Sequence, residues 1–286
     1  MKRGPSEYLT AVNGALKQAA LDSRATYARM SETERLALQR VAVETPQPLI
    51  DESVSITPLE VAGRPAEWIV PQGADEQTRI LMIHGGGFVL CGLNAHRNTS
   101  IQLAKYANCA VLAIDYRLSP ETPFPGALDD CMGAWKYLLA NGPSGAGEAG
   151  TVLVMGDSAG GNLSAALLLR TRDEQVRMAD GAILMSGVFD LTCDSESWQS
   201  NQSKDAMIGR PDGVHDESDM FANKGWIDMY LNGQDPKQAY ASPLFADLSG
   251  LPPLFILVGN DECLRDDSIK LHEKAIAAGV VSRLER

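Results

Sequence analysis

The chain is poor in the residues that would tie it to a polyanion, a metal or a membrane. Lys and Arg number 25 against 37 Asp and Glu in 286 residues, for a net charge of −12, and the cations form no cluster. Binding a phosphate backbone needs clustered Lys and Arg, so no nucleic-acid partner is expected. Cysteines stand at 91, 109, 131, 193 and 263, an odd number without a C-x-x-C spacing. Neither a disulfide framework nor a zinc knuckle is indicated, and a reducing compartment fits best. The histidines are only His84, His96, His215 and His272, and no His/Cys/Asp cluster has metal-ligand spacing, so neither a metal nor another cofactor is expected. No apolar run approaches membrane-spanning length, and residues 1–8 lead into polar helical sequence without the apolar core of a signal peptide. That predicts a soluble, cytoplasmic protein.

With 44% hydrophobic residues the chain can bury a substantial core, and α/β folds of this length often run as one domain. Two amphipathic helices are predicted ahead of any strand, at 8–20 and from Ser31, where Ser31-Glu32-Thr33-Glu34 fits a capping box. Strands are predicted at 55–61, 65–70 and 79–83, the first two joined by a hairpin at Gly63-Arg64, with a polar loop over 72–78. Beyond these, strands at 110–116, 151–155, 181–185 and 254–259 alternate with helices at 98–107, 126–139, 161–170 and 266–278, and another strand begins at 280. Such alternation predicts a mostly parallel, doubly wound sheet. Residues 192–240 break the pattern: they are polar and studded with aromatics, and are read as a lid over the carboxyl edge of the sheet. Trp198, Phe221, Trp226 and Tyr230 are its candidates for a substrate-pocket wall.

Gly156-Asp157-Ser158-Ala159-Gly160 sits between the apolar run 151–155 and a helical run, so Ser158 falls on a sharp strand-to-helix turn. A G-x-S-x-G nucleophile requires that setting, with glycines where a side chain would meet the neighbouring strand and helix. His84-Gly85-Gly86-Gly87-Phe88 likewise follows an apolar strand. Consecutive glycines let backbone N–H groups approach an oxyanion, so Gly85, Gly86 and Ala159 are assigned as its donors. A phosphate loop is the alternative for such glycines, but neither Gly-Lys-Ser/Thr nor a helix-opening G-x-G-x-x-G follows. Asp157 is read as holding loops by hydrogen bonds, and Asp115 with Arg117 as a buried pair.

The sequence resembles the hormone-sensitive-lipase-like branch of the α/β-hydrolases, a large set of bacterial esterases. The likeness runs from about residue 59 to 286 and rests on His84-Gly-Gly-Gly-Phe88, Asp115-Tyr-Arg-Leu-Ser-Pro-Glu121, Pro123-Phe-Pro125, Gly156-Asp-Ser-Ala-Gly-Gly161, Asp190-Leu-Thr192, Ser242-Pro-Leu and Leu251-Pro-Pro253. Ser119 stands where alanine is more usual. The resemblance implies an N-terminal helical cap segment over 1–50 and an α/β-hydrolase catalytic domain over 51–286, with the lid inserted at about 192–240. It implies a serine carboxylic ester hydrolase acting on short-chain acyl esters.

By register on Leu264-Arg265-Asp266, the resemblance puts the triad acid at Glu262, with Asp261 the alternative; either carboxylate could orient a histidine. It puts that histidine in a loop after the last strand, beyond Arg286, so the sequence is read as ending inside that strand. Of the histidines present, His84 supports the glycine loop, and His215, in the lid, is the only one that could swing toward Ser158. The alternatives are a non-catalytic small-molecule-binding protein on the same scaffold, or an inactive fragment. A last strand exposed at the sheet edge also leaves a homodimer open.

Overall fold

The alternating apolar runs pair into one eight-stranded sheet, seen in a computed structural model that describes Gln18 and residues 29–45, 51–209 and 224–286. Helix α1 (Glu32–Val43) opens at Ser31, whose hydroxyl accepts the Glu34 N–H while the Glu34 carboxylate accepts the Ser31 N–H. This is the predicted capping box; the helix expected at 8–20 lies outside the described residues. The rest runs β1 (Val54–Val61), β2 (Arg64–Pro71), β3 (Asp75–Ile83), α2 (Leu93–Ala107), β4 (Cys109–Ile114), α3 (Gly126–Ala140), β5 (Thr151–Asp157), α4 (Ala159–Asp173), β6 (Gly181–Met185), α5 (Ser197–Ser200), α6 (Gly225–Leu231), β7 (Leu254–Leu257), α7 (Arg265–Ala277) and β8 (Ser282–Glu285).

The strands lie in the order β1-β2-β4-β3-β5-β6-β7-β8. β1 and β2 form the predicted hairpin, closed by Val61 opposite Arg64. The two residues between, Ala62 and Gly63, both have positive φ, 51° and 77°, as a two-residue hairpin turn demands. β2 joins β4 antiparallel, and every other neighbouring pair is parallel. β3 starts earlier than expected, inside the polar stretch 72–78: Asp75 pairs with Cys109 before a register shift at Arg79. Asp75 accepts the Gln77 N–H and the Thr78 hydroxyl, and these bonds organise the irregular start.

Strand alternation splits the core in two. Ile80 and Met82 of β3 join Val111, Ala113, Ile101 and Ala104 on the α2 side, whereas Leu81 and Ile83 join Leu112, Ile114 and Val154 with α3 and α4 on the other. All six residues of β4 are buried, as a strand covered on both faces requires. Each fully buried Leu or Ile stabilises by about 1.5–3 kcal/mol. Strand order reverses between β3 and β5, and the crevice beyond the carboxyl ends at such a switch point is where α/β sheets bind ligands. The glycine loop leaves β3 there and Ser158 leaves β5 beside it.

Candidate active site

Ser158 joins β5 to α4 with φ 53° and ψ −118°, a conformation that costs a non-glycine residue about 1–3 kcal/mol. The surroundings hold it there. Its N–H donates to Met185 O at 2.8 Å, and its carbonyl accepts the Asn162 N–H at 3.1 Å. Asn162 is pinned in turn, its Nδ2 donating to Val188 O and Ala241 O at 2.7 and 2.8 Å. A Cβ on Gly156 would overlap the carbonyl of Gly160, and one on Gly160 would overlap that of Ile83. Both glycines are therefore obligatory at the turn.

The loop after β3 is tied to this turn. Gly85 N–H donates to Asp157 Oδ1 at 3.1 Å, and His96 Nε2 lies 3.2 Å from Asp157 Oδ2. Gly85 N–H also lies 3.3 Å from His96 Nε2, so the loop amide, the imidazole and the carboxylate form one cluster beside the turn. Gly85, assigned above as an oxyanion donor, thus has its N–H engaged by Asp157. Gly86 and Gly87, with φ 111° and 61°, have N–H groups with no acceptor among the described residues. Ala159 is the first residue of α4, where helix geometry leaves N–H groups without an internal partner.

His84 is buried, with Nδ1 donating to Gly85 O at 2.7 Å. Its ring stacks on Tyr116 at 4.1 Å, whose hydroxyl donates to His84 O at 2.9 Å. Burial pushes the imidazole pKa down to about 4, so the ring stays neutral and braces the loop.

Past β7, Glu262 turns inward. Its Oε1 accepts the Gly259 N–H at 2.8 Å. Burial raises its pKa, while hydrogen bonds from the Ser186 hydroxyl and Gly259 N–H pull the other way. Asp261 instead faces solvent, with Lys204 Nζ 3.9 Å away. His272 belongs to α7 and meets Ser282 Oγ at 2.8 Å. Among the described residues no histidine bonds Ser158 or Glu262, and His215 lies outside them.

A family described as alpha/beta hydrolase fold matches residues 80–286. The chain belongs to that family. An esterase of Acinetobacter venetianus is 38% identical over 229 residues, covering 80% of this chain and 71% of that one. An acetyl-hydrolase of Streptomyces hygroscopicus is 37% identical over 214 residues, covering 75% and 67%. The crystal structure of an esterase from the bacterial hormone-sensitive lipase family superposes with a TM-score of 0.82 at 34% identity, covering 99% of this chain and 88% of that chain. The resemblance to that branch is borne out, and with it the class, a serine hydrolase of the carboxylesterase type.

In this α/β-hydrolase Trp226 and Tyr230 of α6 pack on Phe88 of the glycine loop. Tyr230 lies flat against Phe88, ring centroids 3.7 Å apart, and meets the edge of Phe124 at 5.7 Å. Trp226 stacks on the other side of the cluster, 6.0 Å from Phe88. Trp198 is buried under the Lys224 ammonium, 5.6 Å above its ring. Phe221 is outside the described residues.

The expected pairing of Asp115 with Arg117 does not form. Arg117 donates to Asp130 of α3 from its N–H, Nε and Nη2 at 2.7–3.1 Å. The chain turns once β4 ends at Ile114, which aims Arg117 at α3. Asp115 Oδ1 instead sits 3.9 Å from His84 Nε2. His96 went unnoticed as a site residue because its partner lies 61 positions away; the carboxylate beside the nucleophile was the one visible signal.

Proposed function

We propose that this α/β-hydrolase is a serine carboxylesterase that hydrolyses short-chain acyl esters through an acyl-enzyme. Ser158 Oγ bonds to the ester carbonyl carbon, its proton passes to a histidine, and the carbonyl oxygen becomes an oxyanion held by the N–H groups of Gly86, Gly87 and Ala159. Collapse expels the alcohol, which takes the proton back, and water repeats the cycle to release the acid. Glu262 accepts Nδ1–H of that histidine and stabilises the imidazolium. We assign that role to a histidine outside the described residues. Residues 1–50 act as the cap, 192–240 as the lid, and the site of action is the cytoplasm.

One observation carries this reading: Ser158 is held in a strained conformation, and the glycine loop carries two N–H groups, of Gly86 and Gly87, without an acceptor among the described residues. Strain of this kind is kept where it serves a function. Each oxyanion donor is worth about 10²–10³ in turnover. The close packing of Trp226 and Tyr230 on Phe88 of the glycine loop supports a preference for small acyl groups.

The test is p-nitrophenyl butyrate hydrolysis by the 286-residue chain, by the chain continued through its coding sequence, and by Ser158→Ala in each. Ser158-dependent turnover in the continued chain alone is expected. Ser158-dependent turnover in the 286-residue chain would put the base within it, with His215 next to mutate. Absence of turnover in both would leave the ligand-binding reading.

A further inference from the structure

The glycine loop is gripped at its far end by a side chain from outside the sheet. Val89 and Leu90 N–H both donate to Gly86 O, at 3.1 and 2.9 Å, so the loop curls into one tight turn. Arg40, in the last turn of α1, donates from Nε to Val89 O at 2.8 Å and from Nη2 to Ser119 O at 2.7 Å. Ser119 N–H donates to Phe88 O at 2.9 Å. One guanidinium thereby closes a ring around the turn, holding Val89 directly and Phe88 through Ser119. The remaining donors meet Glu121, Nη1 on Oε1 at 2.8 Å and Nη2 on Oε2 at 2.9 Å.

The other end of the loop is linked to the same helix. Gly92, which opens α2, has no side chain to cap it. Glu44, just past α1, supplies the cap: its carboxylate accepts the N–H groups of Asn94 and Ala95 at 3.3 and 3.2 Å. The first turn of α2 carries His96, which holds Asp157, which holds Gly85. The segment around α1 therefore grips the loop at both ends while touching no reacting atom.

We propose that Arg40 is a positioning residue, fixing the N–H groups of Gly86 and Gly87 through its bonds to Val89 O and Ser119 O. That these groups receive an oxyanion rests on the function proposed above; that Arg40 orders them does not. The plain alternative is that Arg40 only docks α1 by its ion pair with Glu121. Glu121 is 63% exposed, and pairs so open to water contribute little, whereas the two carbonyl bonds sit at the loop itself. Lysine could not replace the fork, having one ammonium for three separate acceptors.

The experiment is amide hydrogen exchange on the whole chain, comparing wild type with Arg40→Gln, Arg40→Lys and Glu121→Gln. Losing two hydrogen bonds predicts about tenfold faster exchange in Arg40→Gln at Val89 and Leu90, whose N–H groups the turn holds on Gly86 O, with β3 and β5 unchanged. Arg40→Lys should give a smaller rise at the same residues, and Glu121→Gln, which leaves both carbonyl bonds, almost none. Faster exchange confined to residues 32–43 in the Arg40 variants, with Val89 and Leu90 at the wild-type rate, would overturn the proposal. In the form that turns over ester, Arg40→Gln should lower kcat about tenfold with KM nearly unchanged, as expected for misplaced donors. Lack of turnover in wild type would sink the esterase reading, while the exchange comparison would still decide Arg40.

Discussion

His96 Nε2 lies 3.2 Å from Asp157 Oδ2, joining the first turn of α2 to the residue before Ser158. The other oxygen of Asp157 accepts Gly85 N–H at 3.1 Å. One carboxylate thus fixes the glycine loop and the nucleophile turn relative to each other.

Removing either partner should loosen both. His96→Ala and Asp157→Ala are each expected to cost about 1 kcal/mol, because a half-buried hydrogen-bonding partner is lost. In a double-mutant cycle read by urea unfolding, the pair should couple by about 1 kcal/mol. Simple additivity would mean the bond does not hold the loop.

Gly156→Ala should be among the most damaging single-methyl changes in the chain. The added carbon would overlap Gly160 O and come within 2.6 Å of Ser164 Oγ. A loss of about 3 kcal/mol or more is expected by denaturant midpoint. Gly147→Ala, with nothing within 4 Å of the added Cβ, is the control and should stay close to wild type.

Asp267 of α7 predicts a pH dependence. It is buried, accepting the Ser195 hydroxyl at 2.9 Å and the Asp190 N–H at 3.1 Å. Burial raises its pKa from 3.8 to about 7, the Ser195 hydrogen bond opposing the rise. Between those values the folded protein binds the proton and the unfolded chain does not, so stability from this group falls as pH rises from about 4 to about 7. Asp267→Asn keeps the neutral form throughout. Its stability relative to wild type should therefore improve between pH 4 and pH 8, by at most about 4 kcal/mol. A pH-independent difference in urea unfolding would contradict the assignment.

Tyr230→Phe should be neutral or stabilising. The ring is fully buried and stacked on Phe88, but its hydroxyl has no hydrogen-bond partner among the described residues. Deleting a buried, unmet hydroxyl while keeping the ring removes a desolvation penalty of about 1–3 kcal/mol. A clear fall in Tm would show that the hydroxyl is engaged.

What could be read from the residues follows the range of the forces involved. The order of strands and helices, the Ser31 capping box and the glycines flanking Ser158 rest on local pattern, and they appear in the expected order, though α2 begins at Leu93, ahead of the expected 98. The bond from Gly85 N–H was not visible, because its acceptor Asp157 is 72 residues distant. The same holds for Arg117, whose partner Asp130 was hidden behind the nearer Asp115. The early start of β3 escaped notice because its residues are polar and its pairing is irregular. Arg40 and Glu44 lie in a segment whose family likeness is one of character alone, and only the folded chain brings them to the glycine loop.

The most direct check on Ser158 is to trap the acyl-enzyme. The chain continued beyond Arg286 is mixed with p-nitrophenyl butyrate, quenched in acid and digested for mass spectrometry. One butyryl group on the peptide that carries Ser158, absent from Ser158→Ala, is the predicted result. Ester hydrolysis that proceeds with no butyryl group at Ser158, and equally well in Ser158→Ala, would contradict it.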